Sequence, residues 1–300
     1  MSDFFVVADE ANLCGEAPIW DVERQQLFWT DCVGLKFFQY DWRTKEHQLL
    51  KAGLEINGCA LAQPSGFVVT NNAGIWWWDG MDDVVKIVDQ VGGSKCQMND
   101  CVADAQGRLI AGSWFYDPAG EYPLGKLFAI DNDGSGRILD DGIHLANGLG
   151  FSPDNKTLYL ADSAARTIFA YDYDLVRGTA VNRRIFVKVP ETSGLPDGVT
   201  VDAEGFVWSA EWYGNRIVRY DPDGKLERRI ATPAKQTSSL AFGGPDLTDI
   251  FVTSAGKSEQ MPIMPPGYDP DHGYFGGAVY HLNLGIQGKP EFRARINLKM

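Results

Sequence analysis

The stretch VTVDAEGFVWSAEW, residues 199–212, holds two short apolar runs separated by an acidic turn with a glycine. Val, Phe and Trp alternating with small or polar residues on both sides of such a turn read as a β-hairpin. The same grammar recurs in APIWDVERQQLFWTDC (17–32), CALAQPSGFVVTNN (59–72), CVADAQGRLIAGSW (101–114), LGFSPDNKTLYLADS (149–163) and LAFGGPDLTDIFVTSA (240–255). Anchored on Asp21, Gln63, Asp104, Ser152, Asp202 and Gly243, the six copies lie 42, 41, 48, 50 and 41 residues apart. A period of that size marks a repeat architecture.

After each copy comes a second pair of β-like segments, from FFQYDWRTKEHQLL in the first unit to AVYHLNLGIQGKPEFRARI in the last. Two hairpins per period give four strands, and helical periodicity is absent. Six four-stranded units predict an all-β fold, a six-bladed β-propeller around a central channel, as a single domain over 1–300. A pair of β-sandwiches would not explain one repeated grammar along the whole chain. Either FFVVAD near the start or FRARINL near the end would complete a terminal blade.

Composition agrees with a globular chain of that kind. In 300 residues, 44% are hydrophobic and 12% aromatic, enough for a large core. The formal charge of −13 excludes a surface that tracks nucleic-acid phosphates, which needs clustered Lys and Arg. MSDFFVVADEANLCGEAP has neither the basic flank nor the apolar core of a secretory signal, and no segment reaches the roughly 18 apolar residues of a membrane span. The expectation is a soluble cytoplasmic protein, monomeric or a small homo-oligomer, with no membrane or nucleic-acid partner. Five cysteines without a CxxC pair fit reduced, buried thiols.

Five residues before the anchors lie Glu16, Asn99, Asn147, Asp197 and Ser238, and Gly58 beside Asn57 in the second unit. In a propeller the first strand of each blade lines the channel, so Glu16, Asn57, Asn99, Asn147 and Asp197 should meet near one mouth. Two carboxylates and several amides, with no His or Cys, form a hard oxygen-donor set. Such a set suits a divalent cation: Ca²⁺, Mg²⁺ or Mn²⁺, or Zn²⁺ or Fe²⁺ with water in the open positions. Asn-Gly, Asn-Asp and Asp-Gly also make turns that enter strands, so a turn-forming reading stands beside the metal one. Trp114 and Trp212, at the ends of second strands, are expected to pack between blades rather than flank a sugar ring. His144 stays outside the catalytic set.

The chain resembles the senescence marker protein 30, gluconolactonase and luciferin-regenerating-enzyme family of six-bladed propellers. GEAPIW (15–20), NDCVADAQGRLIAGSW (99–114), NGLGFSPDNKTLYLADS (147–163), LPDGVTVDAEGFVW (195–208) and SLAFGGPDLTDIFVTSA (239–255) carry the likeness, in the family's order. The resemblance implies one divalent metal held by Glu16, Asn147 and Asp197, with Asn99 at the substrate or a metal-bound water. It also implies a substrate-facing Glu121 in the loop before Gly125. Many sugar-lactone members have Arg where this chain has Gln97, two residues before Asn99, which removes a fixed charge and a planar donor fork. The implied reaction is metal-dependent hydrolysis of a sugar lactone to its aldonic acid in carbohydrate catabolism. Asp197 would be both ligand and proton acceptor, and Asn57, Gln97, Asn99 and Glu121 substrate contacts. A calcium-dependent phosphotriesterase-like hydrolase and a non-catalytic calcium-binding platform are the alternatives. The Pro- and Gly-rich insertion 254–277 reads either as a rim or lid over the pocket or as solvated decoration.

Overall fold

The computed structural model describes residues 4–114, 124–257 and 263–297, and no helix occurs among them. Six antiparallel four-stranded sheets form the six blades of a β-propeller. Their innermost strands are Gly15–Asp21, Gly58–Leu61, Met98–Ala103, Ala146–Phe151, Leu195–Val201 and Thr237–Gly243, which define blades 1 to 6 in order. Each corresponds to the first half of one sequence repeat.

The anchor residues of the repeat are turn formers. Asp21, Asp104 and Asp202 end their innermost strands and accept backbone N–H groups two to four residues ahead, fixing the hairpin to the second strand. Each of these buried carboxylates also meets a guanidinium: Arg293 at Asp21, Arg108 at Asp104 and Arg219 at Asp202. A buried carboxylate without such a partner would be costly.

Apolar side chains from the two faces of neighbouring blades fill six separate cores, one at every blade-to-blade junction. The junction of blades 6 and 1 closes the ring, where Trp20 stacks on Phe251 at 5.5 Å between centroids. The closing strand comes from the N-terminus. Phe5–Asp9 pairs with Ala278–Asn283 as the outermost strand of blade 6, with Phe5 opposite His281 and Asp9 opposite Ala278.

The C-terminal segment does not supply that strand, and AVYHLNLGIQGKPEFRARI is not the strand pair its pattern suggests. After Asn283 the chain crosses the ends of the innermost strands that carry the anchors. Gln287 O accepts from Ala203 N–H, Ala294 pairs with Leu61 and Gln63, and Arg295 N–H donates to the Gly107 carbonyl. Phe292 and Glu291 help to close a cavity of about 50 Å³ walled by all six innermost strands. This segment thus lies across one end of the channel. All five cysteines are free thiols.

Candidate functional site

At the other end of the channel lie the N-terminal starts of the innermost strands, and there the β-ladder is broken in a regular way. Asn99 and Asp100 oppose Gly112 alone, Asn147 and Gly148 oppose Ala161, and Asp197 and Gly198 oppose Ala210. In blade 1, Ala17 and Pro18 oppose Trp29, with Glu16 just before them. Each is a β-bulge, which interrupts the alternation of faces and re-aims a side chain. Glu16, Asn99, Asn147 and Asp197 therefore sit in or beside bulges, whereas Asn57 precedes an innermost strand of regular register.

The glycines after Asn147 and Asp197 serve this packing rather than a left-handed turn, since neither has positive φ. A Cβ on Gly148 would lie 2.0 Å from Val199 N, and one on Gly198 would lie 2.0 Å from Ser239 Oγ. The Asn-Gly and Asp-Gly pairs are close approaches between neighbouring blades, not reverse turns.

Carboxylates at the ends of second strands fix the approach to the bulges of blades 1 and 4. Asp31 accepts N–H groups from Leu13 and Cys14, both at 2.9 Å, ahead of Glu16. Asp162 accepts those of His144 and Leu145 at 3.0 and 3.2 Å, ahead of Asn147. His144 Nδ1 also contacts Asp162, so this histidine belongs to the scaffold. Side chains then stitch the site from blade to blade. Asn57 Nδ2 donates to Met98 O at 2.9 Å, and Thr70 Oγ1 donates to Asn99 O. Asn99 Nδ2 donates to Asn147 Oδ1 at 2.6 Å, and Ser238 Oγ donates to Gly15 O.

The electrostatics single out the carboxylates. Burial, then Asp100, push the Glu16 carboxyl up to about 8, against a hydrogen bond from Ala17 N–H. Burial, then the charges of Glu16, Asp100 and Cys32, hold Asp197 well above the carboxylate range. Asp100 itself is raised to about 6, chiefly by burial. Asp197 is 3% exposed, and among the described residues its buried Oδ1 has no hydrogen-bond partner. Mutually repelling carboxylates with an orphaned oxygen are matched by a cation.

Among the described residues no three His, Cys, Asp or Glu side chains are grouped to hold a metal. The expected set has only two carboxylates and completes itself with the Asn147 amide oxygen. The donor chemistry and the orphaned Asp197 oxygen fit a hard divalent ion.

Of the other expected residues, Asn57, Gln97 and Asn99 are half-buried at the mouth. Gln97 contributes its carbonyl to Trp114 N–H at 3.2 Å. Glu121 lies outside the described residues. Trp212 packs with Leu195, Tyr213 and Ala255, and the described part of the insertion joins them through Ile263 and Tyr268, with Tyr268 4.5 Å from Tyr213. Trp114 is half-buried and donates from Nε1 to Asn72 at 3.1 Å. Asp100 escaped the sequence reading. In a regular strand the residue after Asn99 faces away, and only the bulge turns it into the channel wall.

Comparison with known proteins agrees with this architecture. The profile of the SMP-30/Gluconolactonase/LRE-like region matches residues 14–256. Pentonolactonase XacC of Haloferax volcanii is 34% identical over 295 residues, covering 97% of this chain and 98% of its own. Regucalcin of Xenopus laevis is 33% identical over 292 residues, covering 94% and 95%. Among solved structures, a luciferin-regenerating enzyme superposes with a TM-score of 0.85 at 28% identity, covering 99% and 100%. With its repeat, its bulged site and these matches together, the chain belongs to the SMP-30/gluconolactonase/LRE-like family.

Proposed function

We propose that this protein is a metal-dependent lactonase that hydrolyses a sugar lactone to its aldonic acid, in carbohydrate catabolism. The observation that carries the reading is the buried Asp197 Oδ1, unpartnered among the described residues, beside Glu16, in a site where Asn147 offers an amide oxygen. The relatedness to a pentonolactonase over nearly the full chain supports the lactone as substrate class. Glu16, Asn147 and Asp197 would hold one divalent cation. Bound there, it would supply Lewis-acid polarisation of the lactone carbonyl and a lowered pKa for water.

The chain's own residues do the rest. Asp197 accepts a proton from the attacking water as its oxygen bonds to the carbonyl carbon. The ring C–O bond then breaks, and the departing ring oxygen takes the proton that Asp197 had accepted, becoming the free hydroxyl of the acid. Asn57 and Asn99, neutral and half-buried, orient sugar hydroxyls without adding charge to an acidic mouth. Gln97 hydrogen-bonds where a fixed positive charge would restrict the substrate. Ile263 and Tyr268, in the described part of the insertion, pack with Trp212 and Tyr213 and support its reading as a rim of the pocket.

The test is hydrolysis by metal-stripped protein given Ca²⁺, Mn²⁺, Zn²⁺, Mg²⁺ or Fe²⁺, on glucono-, xylono-, arabinono- and galactonolactone beside an organophosphate ester. Ion-dependent lactone hydrolysis that disappears in Asp197→Asn is expected. Inactivity on every lactone, or an Asp197→Asn enzyme of full activity, would remove the reading.

A further inference from the structure

Ser163 follows the second strand of blade 4, Thr157–Asp162, and is fully buried. Its hydroxyl makes two hydrogen bonds of opposite sense. It donates to the Pro196 carbonyl at 2.6 Å, and its oxygen accepts from Asn147 Nδ2 at 2.8 Å. A carbonyl can only accept, so the one hydroxyl proton is committed to Pro196 and a lone pair is all that faces Asn147. The NH₂ end of the amide must therefore point to Ser163. Asn147 Oδ1 turns the other way and accepts from Asn99 Nδ2 at 2.6 Å. The same Asn99 nitrogen donates to the Ala146 carbonyl at 2.9 Å, which uses both of its hydrogens. Among the described residues nothing donates to Asn99 Oδ1. One backbone carbonyl in blade 5 thus sets the direction of two side-chain amides in blades 4 and 3.

A side-chain amide and its flipped form have the same shape, and only hydrogen-bond partners choose between them. For a cation ligand that choice is decisive, because a flipped Asn147 would present a donor instead of an oxygen. We propose that Ser163 is a positioning residue for cation binding: by relaying the Pro196 carbonyl it locks Asn147 with its oxygen available and, through Asn147, locks Asn99 as an acceptor. The proposal rests on the reading of Glu16, Asn147 and Asp197 as cation ligands. It adds a direction to substrate recognition, since the hydroxyl or water that meets Asn99 Oδ1 must be the donor. Thr30 and Thr70 also donate across blades, to the Ile56 and Asn99 carbonyls. Ser163 differs from them in receiving a side-chain amide of the site.

Calorimetric titration of chelator-stripped protein with Ca²⁺ and with Mn²⁺ tests this in wild type, Ser163→Ala, Asn147→Asp and the double variant. A carboxylate has no wrong end, so Asp at position 147 needs no orienting. Ser163→Ala is expected to weaken ion binding about tenfold or more in the wild-type background. In the Asn147→Asp background the loss should largely vanish. Equal losses in both backgrounds would mark a merely structural role and overturn the proposal, as would wild-type affinity in Ser163→Ala. Ser163→Cys, close in size but a weak donor, should bind less tightly than wild type; wild-type affinity there also overturns it. Glu16→Gln separates the two ideas. If Glu16→Gln leaves ion binding intact, the ligand reading itself fails. If it abolishes binding while Ser163→Ala binds normally, only the orienting role fails.

Discussion

Replacing Glu16 by Gln should stabilise the protein in chelator while abolishing its stabilisation by cations. The Glu16 carboxyl rises from an ordinary 4.5 to about 8, through burial first and Asp100 second. Each pKa unit is worth about 1.4 kcal/mol, so the full rise corresponds to about 5 kcal/mol. Glu16 is only partly sealed from solvent, and screening reduces the burden to about 1–3 kcal/mol. The sign follows from proton counting. Between pH 4.5 and about 8 the folded chain keeps a proton that the unfolded chain has released, so stability is full below 4.5 and falls as pH rises through that window. Gln carries no charge to repel Asp100 and Asp197. The melting midpoint in chelator should therefore rise by about 2–8 °C at pH 8.5 and hardly change at pH 4.5. Scanning fluorimetry at both pH values, with chelator or with excess Ca²⁺ or Mn²⁺, reads it directly. Wild type should gain about 2.7 kcal/mol at an ion concentration a hundred times its dissociation constant, and Glu16→Gln almost nothing. A Glu16→Gln midpoint below wild type in chelator at pH 8.5 would refute the repulsion argument.

Two further outcomes concern the frame around the site. Gly148→Ala places a Cβ 2.0 Å from Val199 N, a backbone atom that cannot swing aside. It should cost about 1–3 kcal/mol in urea denaturation and weaken ion binding, because Asn147 and Asp197 flank the contact; unchanged values for both would refute the close-approach reading. Arg108→Met strands the buried Asp104 carboxylate, which the guanidinium meets at 2.9 Å, and should cost about 3–5 kcal/mol. Arg177→Met, which removes a 78% exposed side chain paired with Asp174, should stay within about 0.5 kcal/mol, and similar costs for the two would refute the burial argument.

The blades were legible because a repeat imposes the same local chemistry six times. Asp21, Asp104 and Asp202 make one kind of turn, and with Gln63, Ser152 and Gly243 at the matching places the spacing counts the six units. Ring closure was not legible, because FFVVAD and FRARINL both look like strands. What separates them is three-dimensional: the first meets an open edge at Ala278–Asn283, and the second crosses the channel end, where Ala294 bonds to Leu61 and Gln63. Stepping back a fixed number of residues from the anchors lands on Asn99, Asn147 and Asp197 in blades 3, 4 and 5, each of which opens a bulge in its innermost strand. The same step lands on Ser238, whose hydroxyl is engaged by the Gly15 carbonyl. Asp100 and Ser163 were missed for opposite reasons. Asp100 breaks strand alternation at a bulge, and Ser163 acts through a contact with the next blade that no spacing within its own repeat records.

The seam between Phe5–Asp9 and Ala278–Asn283 joins the earliest-made strand to one of the last. At the usual pace of synthesis, the first strand waits roughly a quarter of a minute to a minute for its partner. Through that interval Phe5 and Val6, which stay exposed even in the finished ring, have no neighbouring strand to bond. Blades can assemble one against the next as they emerge, but the circle becomes a circle only at the final moment. Birth order and spatial order run in opposite directions at this one seam, and its two strands mature together.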